Sequence, residues 1–207
     1  MTGNMSKKTK PLDVNCGPLV WIDCEMTGLD YQTDTILEIA VLITNGELDI
    51  VDDGVEFVIK KDRAVMDNMN EWCIKQHGFS GLTEKCLASP FTLDVVRDSV
   101  LHYIKSWIPD QRVGVLAGNS VHADRAFLAR EMPELVDWLH YRIVDVSSIK
   151  ELHRRWYPTK FIPQEQWGEQ SSHRALDDIK ASIRELKWYK ENLFLAPEAA
   201  APMLRRP

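Results

Sequence analysis

Hydrophobic and polar positions follow two different patterns along this chain. In the first third, short apolar runs at residues 19–24, 35–44 and 55–60 are separated by polar segments. Runs of this length, rich in Val, Ile and Leu, predict three β-strands, and Asn45-Gly46 predicts the turn that leaves the second one. The chain therefore begins with strands that are expected to pair antiparallel.

The pattern changes after residue 91. Apolar side chains recur three and four positions apart between residues 93 and 107, which predicts an amphipathic helix that Thr92 caps. Alternating strands and helices follow, and this alternation is typical of βαβ units with parallel strands. The fold class is therefore predicted to be α/β, with a mixed β-sheet flanked by α-helices. The further elements are strands at 113–117 and 143–146 and helices at 123–131, 147–156 and 175–192.

Length and charge limit the possible functions. The 207 residues suit one domain, predicted over 18–195, and residues 1–17 and 196–207 have the polar or Pro-rich composition of flexible tails. No apolar run approaches the length of a membrane-spanning helix, so no membrane partner is expected. The net charge of −6 argues against a function that depends on non-specific binding along a long polyanion. If the protein binds nucleic acid, it binds short pieces.

The cysteines indicate a reducing compartment. The four cysteines show neither a CxxC pair nor a cluster with histidine at zinc-ligand spacing. The N-terminal segment has no secretory signal and resembles a mitochondrial presequence only poorly. An intracellular protein is expected, cytoplasmic and/or mitochondrial.

The first chemical signal is a pair of acids at the end of the first strand. Strand alternation puts Asp23 and Glu25 on one face, about 6–7 Å apart, and turns Cys24 toward the other. Two carboxylates on one face are typical ligands of a hard divalent cation. The alternative is a solvated strand end with two ordinary surface acids.

Two later segments carry further acids. Asp124 is expected in the first turn of a helix that follows an apolar strand, where it can serve a site or simply favour the helix N-terminus. On the last helix, the angular period places Asp178 beside the core and Asp177 toward solvent. His173 comes just before this helix and could face the same space or act as a cap.

Taken together, these positions resemble the DEDDh family of 3′-to-5′ exonucleases in kind and in order. Within that family, five segments look like the oligoribonucleases, and those after residue 115 look most like the eukaryotic form. The likeness implies an RNase H-like fold, and it also implies hydrolysis of short RNA, about 2–5 nucleotides long and above all dinucleotides, to nucleoside 5′-monophosphates. The matching residues are Asp23, Glu25, Asp124, His173 and Asp178, and the segments are 21–30, 70–83, 116–128, 139–158 and 172–190.

The resemblance also implies roles at the site. The four acids would hold two Mg²⁺ or Mn²⁺ ions, and His173 would be the general base. Leu29 would wedge between the bases and Trp72 would stack on one of them. The 5′-phosphate would be held by Ser120, Arg142 and Ser147, and Tyr141 would reach the site from the partner in a homodimer.

Each of these substrate-binding residues has a structural alternative. Without the resemblance, Leu29 is a loop anchor, and Trp72 and Tyr141 are core aromatics. The three residues assigned to the phosphate would be a turn, a surface charge and a helix cap.

Three rival functions remain. Residues 23–27 resemble the DxDxT strand of aspartyl-phosphate phosphatases, although Glu25 departs from that pattern and no later GDxxxD motif follows. A non-catalytic RNA-binding scaffold on the same fold is disfavoured by the complete acidic set. A DNA exonuclease of the same superfamily is the nearest rival, because a metal site does not read the sugar.

Overall fold

A computed structural model describes residues 10–157 and 175–194. Its centre is a five-stranded sheet with the strand order β3-β2-β1-β4-β5. The pair β1–β2 and the pair β2–β3 are antiparallel, whereas β1–β4 and β4–β5 are parallel. The mixed sheet predicted from the sequence is confirmed. The strands are β1 (Leu19–Met26), β2 (Ile36–Thr44), β3 (Val55–Val58), β4 (Val115–Gly118) and β5 (Ile143–Asp145).

Eight α-helices accompany the sheet within the described residues. The four predicted from periodicity are present, and the last has the predicted bounds. The Oγ1 atom of Thr92 lies 3.5 Å from the backbone nitrogen of Val95, as a helix cap requires. Four short helices were not predicted: α1 to α3 and α6. The helices are α1 (Arg63–Asp67), α2 (Glu71–Phe79), α3 (Leu82–Ala88), α4 (Leu93–Trp107), α5 (Val121–Glu131), α6 (Pro133–Trp138), α7 (Val146–Trp156) and α8 (Ala175–Asn192).

Strand β1 lies between two hydrophobic cores. Its even-numbered residues Val20, Ile22 and Cys24 face the core that contains α4, α5 and α6. Trp21 faces the opposite core, beneath α8, and donates a hydrogen bond from Nε1 to Oγ1 of Thr44 at 3.0 Å. The side chains of odd-numbered residues further along β1 therefore emerge on the α8 side of the sheet.

The parallel partners β1 and β4 separate part of the way along. Their pairing runs from Leu19 to Trp21, and β1 then continues to Met26 beside β2. At the separation point a Cβ atom on Gly118 would lie 2.9 Å from the carbonyl oxygen of Ile22, so this position requires glycine. A crevice therefore opens at the carboxyl ends of the parallel strands, where α/β proteins bind their ligands.

The chain before β1 contacts the same fold. The N–H of Leu12 donates to the carbonyl of Trp107 at 2.7 Å, and a short 3-10 helix follows at Val14–Cys16. No helix within 10–157 and 175–194 combines the length and apolar character of a membrane span.

One carboxylate links helix α4 to the segment before β3. Asp52 accepts hydrogen bonds from the hydroxyl of Tyr103 at 2.6 Å and from Nε1 of Trp107 at 2.8 Å. Its Oδ1 also accepts from the N–H of Gly54 at 2.9 Å. Burial, together with the bond to Asp52, raises the pKa of Tyr103. Three donors thus depend on one acceptor residue.

We expect Asp52→Ala to lower the free energy of unfolding by about 1–3 kcal/mol, because it leaves partly buried donors unpaired. The neighbouring Asp53 is exposed and provides the matched control, Asp53→Ala, which should change stability little. Urea denaturation of both variants measures the difference. Equal stability of the two variants would show that the Asp52 bonds do not stabilise the fold.

Candidate active site

Three carboxylates meet where β1 leaves its partner strand. Asp23 and Glu25 come from β1, and Asp178 comes from the first turn of α8. One oxygen of each lies within 4.8 Å of the others, and they form the one such group among the described residues. Asp177 is exposed, so the facial prediction for this helix is confirmed. These three carboxylates, called the acidic cluster below, supply oxygen ligands suited to a divalent cation.

Asp124 supports the acidic cluster from the α5 side. It lies in the first turn of α5, as predicted, with 6% of the residue exposed. Its Oδ1 accepts a hydrogen bond from the N–H of Cys24 at 3.0 Å. The structure therefore places Asp124 beside the cluster, bonded to the strand between Asp23 and Glu25, rather than within the group of three.

Three carboxyl groups of the site have raised pKa values, those of Asp23, Glu25 and Asp124. Burial raises the pKa of Asp23 well above its usual value, and the charges of Asp124 and Asp178 raise it further. Burial and the charge of Glu38 raise the pKa of Glu25 to about 7. Burial raises the pKa of Asp124 to about 7, although the bond from Cys24 opposes this shift. A bound cation would offset these costs, because it favours the ionised carboxylates.

Glu38 is a site residue that sequence reasoning missed. It lies opposite Glu25 in the antiparallel register of β1 and β2, and it is 1% exposed. The available signal was a single acidic residue inside the otherwise apolar run of β2. Such a residue breaks the pattern of a buried strand, which indicates a neighbour that requires its charge or its hydrogen bonds.

A cavity of about 420 Å³ adjoins the acidic cluster on the side of α2. Leu29 and Trp72 line it together with Glu25, and they are 88% and 67% exposed. The alternatives of a loop anchor for Leu29 and a core aromatic for Trp72 are therefore wrong. His77, which was also missed, lines the same cavity, and its Nε2 lies 2.9 Å from the carbonyl oxygen of Met26.

A second cavity of about 350 Å³ is lined by the acidic cluster and by polar residues of α8 and of the β4–α5 junction. Glu185, two turns after Asp178, is 6% exposed in its wall. It accepts hydrogen bonds from the Tyr189 hydroxyl at 2.9 Å and from Nδ2 of Asn119 at 3.1 Å, and it pairs with Nζ of Lys150 at 3.0 Å. This wall joins α7, α8 and the end of β4.

Ser120 and Ser147 meet at the start of helices α5 and α7. Their hydroxyl oxygens are 2.9 Å apart, and the N–H of Ser120 donates to Oγ of Ser147 at 2.5 Å. Asp145 accepts from both backbone N–H groups, at 2.9 and 3.0 Å, and its Oδ2 lies 3.1 Å from Nδ1 of His122. The cap of α7 is therefore Asp145, which corrects the structural alternative proposed for Ser147. Against the effect of burial, hydrogen bonds from Ser147 and His122 lower the pKa of Asp145.

Tyr141 and Arg142 lie at the surface just before β5. The Tyr141 side chain is 62% exposed, so the alternative of a buried core tyrosine is wrong. Its ring stacks on that of His140 at 4.5 Å between centroids, and the guanidinium of Arg142 lies 5.0 Å from the Tyr141 ring. The predicted base, His173, lies outside the described residues.

The fold and the acidic site together define a class of nuclease. A family model described as "Exonuclease" (RNase_T) matches residues 20–186, and the chain belongs to this exonuclease family. The assignment replaces the aspartyl-phosphate phosphatase alternative.

Its relatives narrow the class to the oligoribonucleases. The chain is 52% identical over 188 residues to the mitochondrial oligoribonuclease of Saccharomyces cerevisiae, covering 87% of this chain and 69% of that protein. It is 51% identical over 173 residues to a probable oligoribonuclease of Schizosaccharomyces pombe, covering 84% and 67%. It is 49% identical over 179 residues to an oligoribonuclease of Mycobacterium avium, covering 86% and 82%.

Solved structures with the same fold are more distant in sequence. The zinc-bound complex of Escherichia coli exonuclease I with single-stranded DNA superimposes with a TM-score of 0.67 at 16% identity, covering 86% of this chain. Exonuclease I of Methylocaldum szegediense gives a TM-score of 0.66 at the same identity. This chain spans 41% of either protein, so the match concerns the fold alone. It confirms the RNase H-like fold that the resemblance implied.

The raised pKa of Glu25 predicts how metal-free protein responds to pH. Between the usual value of 4.5 and about 7, the folded chain binds more protons at Glu25 than the unfolded chain does. This contribution to stability is therefore complete below pH 4.5 and is lost as the pH rises through 7. In thermal melts of chelator-treated protein, the melting temperature of Glu25→Gln should fall less than that of the parent protein as the pH rises from 4.5 to about 7.

The control is Glu191→Gln, which changes an exposed carboxyl at the end of the same helix that carries Asp178. Its melting temperature should follow the parent protein at every pH. Parallel curves for Glu25→Gln and the parent would contradict the proposed ionisation cost.

Proposed function

We propose that this chain is a 3′-to-5′ exoribonuclease that hydrolyses very short RNA, especially dinucleotides, to nucleoside 5′-monophosphates. One observation carries the proposal: an acidic cluster suited to divalent cations lies beside a cavity that presents an exposed leucine and an exposed tryptophan. The names of the oligoribonuclease relatives support the substrate class. We propose that the catalytic domain spans residues 18–195, with the segment before β1 packed against it through Leu12.

The acidic cluster fits a divalent metal. Asp23, Glu25 and Asp178 would hold the ions, with Asp124 adding its charge, and all four are proposed as catalytic and metal-binding residues. We propose two Mg²⁺ or Mn²⁺ ions per site, since four carboxylates balance their four positive charges. Such ions, when bound, activate water and stabilise the leaving oxygen of a phosphodiester.

The remaining proton transfer is assigned to a histidine. By the family resemblance, His173 accepts the proton of the attacking water as general base. In the sequence, His173 comes shortly before Asp178, which lies in the first turn of α8. An imidazole suits this role because its ordinary pKa lies close to neutral pH.

The two ends of the substrate would be held by different groups. Leu29 would separate the bases and Trp72 would stack on one, and stacking contributes about 1–3 kcal/mol per base. Ser120, Ser147 and Arg142 would hold the 5′-phosphate through hydroxyl and guanidinium contacts. Two separate end contacts favour a substrate short enough to reach both.

The proposed active unit is a homodimer. Tyr141 is 62% exposed and is braced by His140 and Arg142 on its own surface. An exposed ring held in this way suits a contact with the site of a partner chain. In a two-fold symmetric dimer, each chain would supply its Tyr141 ring to the site of the other. We place the enzyme inside the cell, in the cytoplasm, in mitochondria or in both. The mitochondrial name of one relative supports the second compartment.

The proposal predicts metal-dependent release of nucleoside 5′-monophosphates from a 5′-phosphorylated RNA dinucleotide. Asp178→Asn should abolish release because it removes a metal ligand, whereas Asp177→Asn, its exposed neighbour, should act like the parent protein. Chromatography of the products over time, with and without chelator, measures both.

Longer RNA and DNA dinucleotides test the proposed substrate preference. Equal efficiency on dinucleotides and twenty-mers would exclude the preference for short RNA. A preference for DNA over RNA dinucleotides of the same sequence would favour the DNA exonuclease instead. Binding of RNA without hydrolysis under any metal would favour the scaffold.

If each active site contains residues of both chains, two variants with impaired activity should complement each other in a mixed dimer. Tyr141→Ala should fold normally, because the ring is exposed, and lose most activity. Mixed dimers of Tyr141→Ala with Asp23→Ala should regain activity at one site, because the Asp23→Ala chain supplies the ring to an intact acidic cluster. The measurement is dinucleotide hydrolysis after subunit exchange. Absence of recovery in verified mixed dimers would exclude a site shared between chains.

A further inference from the structure

The loop between β1 and β2 presents one apolar side chain to the cavity. Leu29 lies in this loop between Gly28 and Asp30, and it is 88% exposed. An exposed leucine gains little from packing in the absence of a ligand. The position of Leu29 over the cavity therefore depends on what holds the loop backbone.

The carboxylate of Asp34 joins the two sides of the loop. Its Oδ1 accepts a hydrogen bond from the Thr27 hydroxyl at 2.8 Å, and its Oδ2 accepts from the N–H of Asp30 at 3.0 Å. One donor precedes Leu29 and the other follows it, so this carboxylate closes the chain around the leucine. The return bond from Asp34 N–H to the carbonyl of Asp30, at 2.8 Å, completes the closure.

Gly28 shows how closely the carboxylate fits the loop. A Cβ atom built on Gly28 would lie 2.3 Å from Oδ2 of Asp34 and 2.8 Å from its Oδ1. Any other residue at position 28 would displace the carboxylate or the backbone. The glycine beside Leu29 thus permits the contact that Asp34 makes.

The base of the loop is tied to the strand and to helix α5. Thr27 N–H donates to the carbonyl of Thr35, and Thr35 N–H donates to Oγ1 of Thr27, both at 3.0 Å. The Thr35 hydroxyl donates to Glu131 at 2.8 Å, and Arg130 donates to the carbonyl of Asp34. Glu131 and Arg130 lie at the end of α5, whose first turn carries Asp124. The loop is therefore fixed relative to the acidic site.

From this geometry we propose that Asp34 is a positioning residue that holds Leu29 over the cavity and thereby sets the preference for substrates with two bases. The inference rests on the proposed function, in which Leu29 separates two bases. The physical basis is preorganisation: a loop held in its binding conformation loses less conformational entropy when the substrate arrives.

The test compares a substrate with two bases and one with a single base. The first is a 5′-phosphorylated RNA dinucleotide, and the second is a nitrophenyl ester of a nucleoside 5′-monophosphate. Asp34→Ala should lower kcat/KM on the dinucleotide up to about tenfold, mainly through KM, because the loop must be ordered on binding. Turnover of the ester should stay unchanged, since one base does not need the wedge.

Two further variants separate positioning from folding. Gly28→Ala should reproduce the selective loss, because its Cβ displaces the Asp34 carboxylate. Asp34→Asn should be milder, because its amide oxygen can still accept from Thr27. Asp49→Ala is the matched control. Asp49 is an exposed acid in the turn that follows β2, where it accepts a hydrogen bond from Nδ2 of Asn45 at 3.1 Å. This variant should hydrolyse both substrates like the parent protein.

A double-mutant cycle with Leu29→Ala shows whether Asp34 acts through the leucine. On the Leu29→Ala background, Asp34→Ala should add little further loss on the dinucleotide. Full additivity of the two losses would overturn the inference, as would an equal loss on both substrates.

The outcomes also distinguish this inference from the function on which it rests. If the parent protein cleaves neither substrate, the proposed function fails. If Leu29→Ala does not change dinucleotide hydrolysis, the wedge is wrong and the inference fails with it. If Leu29→Ala impairs the dinucleotide reaction and Asp34→Ala does not, the inference alone is overturned.

Discussion

Repulsion among carboxylates at the end of β1 is the constraint on which the rest of this structure depends. Asp23, Glu25 and Asp178 present oxygens within 4.8 Å of one another, and burial raises the pKa of the two strand residues. Side chains with free rotamers would move apart to relieve this repulsion. The acids remain close because two are spaced by a strand and the third by a helix packed on that strand.

The sheet provides this rigidity through an uneven pairing of β1. One side pairs with β2 along the full strand, while the other side pairs with β4 only as far as Trp21. The backbone beyond that point would present an unpaired edge, and Asp124 accepts from the N–H of Cys24 there. One residue thus satisfies the strand backbone and brings a negative charge near the acidic cluster. Structural and chemical roles coincide at this position.

Sequence patterns predicted the elements whose neighbours are regular. Helix α8 is amphipathic along its whole length, so its period gave both its bounds and the direction of Asp178. Helices α1 to α3 were missed because they are short and pack on a small separate core rather than along one continuous stripe. That core consists of Leu37, Met66, Met69, Cys73, Leu82 and Cys86. Helix α6 has six residues and begins at Pro133, too short for periodicity to show.

Site residues were predictable where a local motif carried them. Asp145 was not, because its bonds to Ser120 and His122 join positions 25 and 23 residues apart that only the parallel β4–β5 pairing brings together. Glu38 likewise acquires its role from the register opposite Glu25, which depends on the turn between two strands. A sequence pattern describes the surroundings of a residue along the chain. Contacts across the sheet require the register, and the register is a property of the whole fold.

The acidic net charge of the chain then becomes compatible with a phosphodiester substrate. At a net charge of −6, affinity for phosphates must come from localised groups rather than from a basic surface. The two cavities beside the acidic cluster offer different contacts. Leu29 and Trp72 line one of them and present apolar surface. Asn119 lines the other, and it directly precedes Ser120. Apolar surface binds a base without requiring a compensating charge. The net negative charge weakens binding of long RNA, and it therefore favours a short substrate that reaches both cavities.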